Sequence, residues 1–128
     1  MAFVPEIAAD PGHIHVAITP IEGAPSDRWV LILTESPWTD KPRWTPDGRA
    51  LYFVAKGTNG FFNLVGQRFD PERGVPVGAP FAVTQYDSPS LFVSPYMNVT
   101  EMGIAAHRAV LTMTSIKGSV WMLDNMDK

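Results

Sequence analysis

Short apolar runs, separated by residues that favour turns, make up most of this chain. Runs of roughly four to eight apolar or alternating residues between Gly, Pro, Asn and Asp are typical of β-strands. The segment 98–108 comes nearest to a helical period, but its apolar positions form no clean stripe. The pattern therefore predicts an all-β protein. The predicted strands are 13–20, 29–33, 42–44, 50–55, 61–69, 81–84, 90–93, 109–114 and 119–124.

Two turns can be predicted from their side chains. In the first, Pro46 fixes φ for an early turn position, Asp47 can accept a bond from its own downstream backbone, and Gly48 tolerates a positive φ. The second is the stretch 57–60, which ends in Asn-Gly and predicts a hairpin. The polar stretch 70–78 predicts a longer hairpin-like connection between strands.

A weak internal repeat and one motif indicate the architecture. Two apolar runs end 50 positions apart, at Thr34 and Thr84, and a Ser-Pro pair follows each of them. Between them the chain reads Trp44-Thr45-Pro46-Asp47-Gly48, then an apolar strand, then Phe62-Asn63-Leu64 and Phe81-Ala82-Val83-Thr84. This order resembles the TolB-like, WD40-like β-propeller repeat family, in which one blade is four antiparallel strands.

The resemblance implies a single β-propeller-like region over 1–128. It implies a partial blade in 1–39, a complete blade in 40–86 and a degenerate terminal blade in 87–128. A closed propeller needs four to eight blades, so two to three four-stranded antiparallel blades form only a partial propeller. We therefore expect either self-association, in which several copies complete the ring, or missing N-terminal blades. An open fan with exposed strand edges is a third arrangement, and such edges invite pairing with another chain.

Composition narrows the class of partner. The net charge is −3 with interspersed signs, so no basic stripe exists for nucleic acid, and no apolar stretch approaches the length of about 20 residues that spans a bilayer. The absence of cysteine excludes disulfides, thiolate zinc sites and thiol catalysis but leaves the compartment open. The resembled family occurs in the bacterial periplasm and in cytoplasmic sensor proteins.

Most residues that suggest chemistry have a structural explanation. Asp47 is expected to cap its own turn, and Trp44 to pack between neighbouring blades. His13 and His15 would share one face of a strand, but a metal would need a third ligand, so no metal site is expected. The sequence has no nucleophile elbow and no phosphate-binding glycine loop. Its carboxylates show no informative spacing, so neither a catalytic residue nor a cofactor is expected.

Three aromatic residues remain as candidates for binding: Trp38, Phe61 and Phe62, the last two expected to form an exposed contact patch at a hairpin. The leading hypothesis is a non-enzymatic binding or scaffolding module that engages a protein or peptide partner. The alternative is the propeller segment of a larger hydrolase of the serine-peptidase type, which gates substrate while catalysis occurs elsewhere. A lectin-like site using Trp38 and Trp44 is a third hypothesis.

Overall fold

The computed structural model describes residues 1–3 and 12–124, and this part of the chain is all-β, with a single 3₁₀ turn at Ser26–Arg28 and no α-helix. The strands are β1 (Ala2–Phe3), β2 (Val16–Ile18), β3 (Val30–Ile32), β4 (Thr39–Trp44), β5 (Ala50–Lys56), β6 (Phe62–Asp70), β7 (Val75–Ala82), β8 (Phe92–Val93), β9 (Met102–Ala105), β10 (Arg108–Leu111) and β11 (Met113–Thr114). The prediction of an all-β protein is confirmed.

An antiparallel meander of four consecutive strands, β4 to β7, forms the centre of the molecule. Its middle strand β5 is rich in apolar and aromatic residues, which fit a pleated surface that is covered on both sides. Strand β8 pairs with β6 through Phe62 and Val93, on the edge of β6 that also pairs with β7, and β11 pairs with β8. The result is one curled six-stranded sheet, beside a small sheet β1–β2–β3 and a ribbon β9–β10.

One face of the meander is covered by the small sheet. Leu51, Phe53 and Ala55 point to this face because side chains alternate along a strand. They form a buried cluster with Val16, Ile18 and Ile32. Trp44 packs against the cluster and meets Phe69 edge to face, with ring centroids 4.9 Å apart.

The opposite face packs against the C-terminal half of the chain. Here Val54 and Phe62 form a second buried cluster with Val93 and Met97. Half-buried side chains complete it: Trp38, Tyr86, Leu111 and Met113. The meander is therefore a sheet with apolar residues on both faces, as its nearly continuous apolar strand β5 requires.

The turns form largely as their residues predict. Gly48 adopts a φ of 70°, and the Arg49 N–H donates to Asp47 Oδ1 at 3.0 Å. Gly60 has a φ of 85°, which suits the Asn-Gly hairpin.

The connection predicted over 70–78 is shorter in the structure. The turn occupies only 71–74, and β7 begins at Val75 rather than at 81. Pro76, Gly78 and Pro80 made this strand look like a loop. They are tolerated because β7 is an outer strand with a bulge. The buried side chain of Gln67 faces this bulge, where its Nε2 group lies 3.2 Å from the Val77 carbonyl oxygen and 3.1 Å from that of Gly78.

Three other strand predictions need correction. Residues 119–124 form no strand, because no neighbouring strand pairs with them in the described part of the chain. The run 109–114 divides into β10 and β11 at Thr112, and 13–20 is a strand only over Val16–Ile18. Strand β9 lies inside the segment 98–108, where Gly103 and two alanines weaken a β pattern.

Candidate functional site

An open groove of about 860 Å³ lies at one end of the meander, on the face that carries Ala55 and Val65. The groove is lined by 33–36, 55–59, 79–82 and 84–87, together with Asn63 and Val65. It is therefore built from the loop after β3, the hairpin between β5 and β6, the second half of β7 and the loop that follows β7.

The walls of the groove carry exposed apolar side chains. Leu33, in the loop after β3, is 66% exposed. Phe81 of β7 also borders the groove, but its ring lies on the other face of the sheet, over Gly66 and beside Tyr52. Ala79 and Ala82 of β7 also line the groove, and their small side chains leave it open. Exposed apolar residues that converge on a concavity are typical of surfaces that bind a partner.

Asn63 holds the wall formed by 84–87 in place. Its Oδ1 accepts hydrogen bonds from the Thr84 hydroxyl, at 3.0 Å, and from the Tyr86 N–H. Its Nδ2 donates to the Tyr86 carbonyl at 3.1 Å, and the Thr84 hydroxyl also accepts the Leu64 N–H at 2.9 Å. Both ends of the Asn63 amide are thus used within the protein, so Asn63 serves to fix this wall.

Three charged side chains border the groove without a charged partner. Glu35, Lys56 and Asp87 line it, and their side chains form no hydrogen bond or ion pair with another residue of ranges 1–3 and 12–124. Charges at the rim of a site steer and orient a partner more than they add affinity. The groove therefore combines apolar walls with both signs of charge at its border.

None of the three aromatic residues predicted to bind lines this groove. Trp38 is half-buried and packs edge to face on Phe62 at 5.6 Å, and its buried Nε1–H finds no acceptor within the described ranges. Phe61 packs on Phe92 at 5.2 Å. Phe62 is only 3% exposed, so the expectation that it is exposed is wrong. A binding role for these residues stays a prediction.

Two of the residues that line the groove could be singled out in the sequence. Asn63 and Thr84 both belong to the segments that carry the repeat resemblance, and a polar Asn inside the apolar run 61–65 is unusual for a strand. Nothing local indicates that the side chain of residue 63 would reach the backbone at 86. The site depends on that long-range bond and so escapes sequence reasoning.

The other residues considered for metal binding or catalysis do not form a site in the described structure. The rings of His13 and His15 stack 5.8 Å apart, but no group of three or more metal-ligating side chains occurs within 1–3 and 12–124. The Thr45 hydroxyl, followed by the Arg49 N–H, lowers the pKa of the exposed Asp47 carboxyl below 3.8 by hydrogen bonding. Among these same residues there is no helix with the length and apolar character needed to cross a membrane.

Comparison with family models, with curated proteins and with solved structures finds no match to this chain. The likeness of 40–86 to the TolB-like repeat therefore stays a prediction from its motif.

Proposed function

We propose that this chain is a non-enzymatic binding module that holds an extended segment of a protein or peptide partner in the groove. The observation that carries the proposal is an open groove in which the exposed Leu33 side chain and the small apolar side chains of Ala79 and Ala82 lie beside charged groups of both signs. Apolar side chains of a peptide can pack against the apolar part of the groove, and the charged groups at its border can orient the peptide.

The outer edge of β7 favours an extended partner. This strand pairs with β6 along one edge and with no other strand of the described residues along its second edge. A free edge can accept an added strand, which is a common way of binding a peptide. Pro76 and Pro80 lack an N–H, so an added strand could form only a short ladder, and side-chain contacts in the groove would supply most of the specificity.

We further propose that the meander β4–β7 is one propeller-type blade and that the chain is a partial propeller of two to three blades. Four consecutive antiparallel strands in a curled sheet support this architecture. The position of Trp44 also supports it, because this side chain lies against the cluster formed between the meander and the small sheet. In this architecture the groove opens between the strand ends of one blade and the loop of the preceding one.

Selection of peptides on the full-length chain tests the proposed function. A random-peptide display library is selected against the wild-type protein, and the enriched peptides are measured against Leu33→Asp and Ile21→Asp. Both side chains are well exposed, so neither change should disturb folding, but only Leu33 lines the groove. We expect Leu33→Asp to weaken binding by roughly tenfold or more and Ile21→Asp to leave it unchanged.

Two results would contradict the proposal. Failure to enrich any peptide, or equal binding to both variants, would remove the groove as the binding surface. Mass spectrometry of an enriched peptide after incubation with the chain tests the non-enzymatic part. We expect the peptide to be recovered intact, and cleavage by the purified wild-type chain would show an enzyme.

A further inference from the structure

We infer that the groove binds the segment Ser119–Asp124 of a second copy of this chain, so that two copies exchange these segments reciprocally. The inference rests on the proposed function in one respect, since it uses the same groove. It names a second copy as the partner and predicts a two-fold dimer.

The segment itself is apolar and exposed. Val120, Trp121, Met122 and Leu123 are consecutive, and all four are exposed, Trp121 to 88%. Such a run of large apolar side chains matches the composition of a β-strand, yet the segment has no strand partner within ranges 1–3 and 12–124. Exposed runs of this kind are typical of surfaces that another chain covers.

The segment leaves the body of the protein beside the groove. The Ile116 N–H donates to the Pro89 carbonyl at 2.8 Å, and Pro89 follows the groove residue Asp87 by two positions. In each copy the start of the segment and the groove are therefore close together. Two copies related by a two-fold axis can then place both contacts in one continuous interface, which closes the assembly at two subunits.

The chemistry of the segment suits the groove. Trp121 and Leu123 lie on the same side of an extended chain, and the groove offers the exposed Leu33 side chain and the smaller apolar side chains of Ala79 and Ala82. The segment also carries a charge on each side of its apolar residues, Lys117 before them and Asp124 after them. Its charges can be matched by Glu35, Asp87 and Lys56, the three charged side chains at the groove border that have no charged partner.

Sedimentation velocity of the full-length chain over a range of concentrations tests the dimer. We expect the wild type to dimerise, and Trp121→Ser and Leu33→Asp each to raise the dissociation constant by roughly tenfold or more. The matched control is Ile21→Ser, which removes another well-exposed apolar side chain, outside both surfaces. It should dimerise like the wild type.

A mixing experiment separates the exchange from other dimers. The Leu33→Asp chain keeps an intact segment, and the Trp121→Ser chain keeps an intact groove. A mixture of the two should therefore form heterodimers at concentrations where each variant alone is monomeric. A monomeric wild type, a dimer insensitive to Trp121→Ser, or a mixture that stays monomeric would overturn the inference. If peptides from display still bound the groove of a monomeric wild type, the proposed function would stand while the exchange failed.

Discussion

Gly66 in β6 is covered by an aromatic ring from the neighbouring strand. Phe81 lies opposite it in register, and a Cβ at Gly66 would come within 2.5 Å of the tip of the Phe81 ring. Tyr52 flanks the ring edge to face at 6.4 Å, and the Arg68 guanidinium lies 5.9 Å from its centre. The missing side chain at 66 thus provides the place that the Phe81 ring occupies, on the face of the sheet opposite the groove.

The substitution Gly66→Ala should destabilise the protein. The new methyl group would push the Phe81 ring away from the sheet, and overpacking of this kind costs about 1 kcal/mol or somewhat more. Urea denaturation measures the free energy of unfolding. In a Phe81→Ala background the same substitution should cost clearly less, because the Phe81 ring is gone and only the Tyr52 ring, at 3.0 Å, remains close to the new methyl group.

Gly103→Ala is the matched control for this prediction. Gly103 also lies in a strand, but nothing lies within 4 Å of a Cβ placed there and its φ is not positive. Alanine at 103 should be neutral or stabilise by a few tenths of a kcal/mol up to about 1 kcal/mol. Equal effects at the two positions would show that the Phe81 ring does not depend on Gly66.

Asp47 allows a prediction about pH. The Thr45 hydroxyl donates to its carboxylate at 2.6 Å, and this bond and the Arg49 N–H favour the charged form, so the pKa lies below 3.8. A lowered pKa in the folded state adds stability above the ordinary pKa, and this contribution is lost as the pH falls through the folded value. An NMR titration of the Asp47 carboxyl should therefore give a midpoint below 3.8.

The variant Thr45→Val tests the cause of this shift. It keeps the β-branched shape and removes the hydroxyl that accounts for the largest part of the effect. The pKa of Asp47 should then rise toward 3.8. An unchanged midpoint would mean that the backbone of the turn, rather than Thr45, holds the carboxylate charged.

At the scale of elements, Asn63 connects β6 to the chain that follows β7. Its side chain replaces a strand partner for residues 84–86, since it accepts from the Tyr86 N–H and donates to the Tyr86 carbonyl. A loop fixed in this way keeps its backbone polar groups paired without extending the sheet. Bonds between Leu64 and Thr84 hold the start of this wall, and the Asn63 amide holds its continuation at Tyr86.

Asn63→Ala should release that wall. The Tyr86 N–H loses its acceptor, so its hydrogen exchange measured by NMR should accelerate by roughly tenfold or more while the amides of β5 keep their protection. Asn63→Asp is the informative companion, because a carboxylate still accepts from the Tyr86 N–H but cannot donate to the Tyr86 carbonyl. It should give an intermediate rate. Global acceleration, including β5, would mean that Asn63 supports the whole fold rather than the wall alone.

Strand β7 shows why some elements could not be predicted from the sequence. The stretch from Val75 to Pro80 contains two prolines and a glycine, which argue for a loop when neighbours are unknown. In the fold this strand lies outermost, and the buried side chain of Gln67 lies within hydrogen-bonding distance of the carbonyls at the bulge. The turn at 46–48 can be predicted because the residues that stabilise it lie within the turn. Strand β7 cannot, because its bulge is stabilised by Gln67 of the neighbouring strand.

At the scale of the whole molecule, the segment 119–124 shows a second reason why a strand prediction can fail. Its apolar pattern is that of a strand, but a strand also needs a partner, and none lies beside this segment in the described structure. The periodicity of a segment shows which of its side chains could be buried, but it does not show which other part of the protein would cover them. The same limit applies to the groove, whose walls come from loops separated by about 50 positions.

Hydrogen exchange of the full-length chain with and without a display-selected peptide shows whether the peptide binds in the groove. If the groove is the binding surface, the peptide should slow exchange in three segments: 33–36, 55–63 and 79–87. The ribbon β9–β10 lines no part of the groove and should exchange as in the free protein. Protection confined to the ribbon or to the small sheet, with the three groove segments unchanged, would contradict the account.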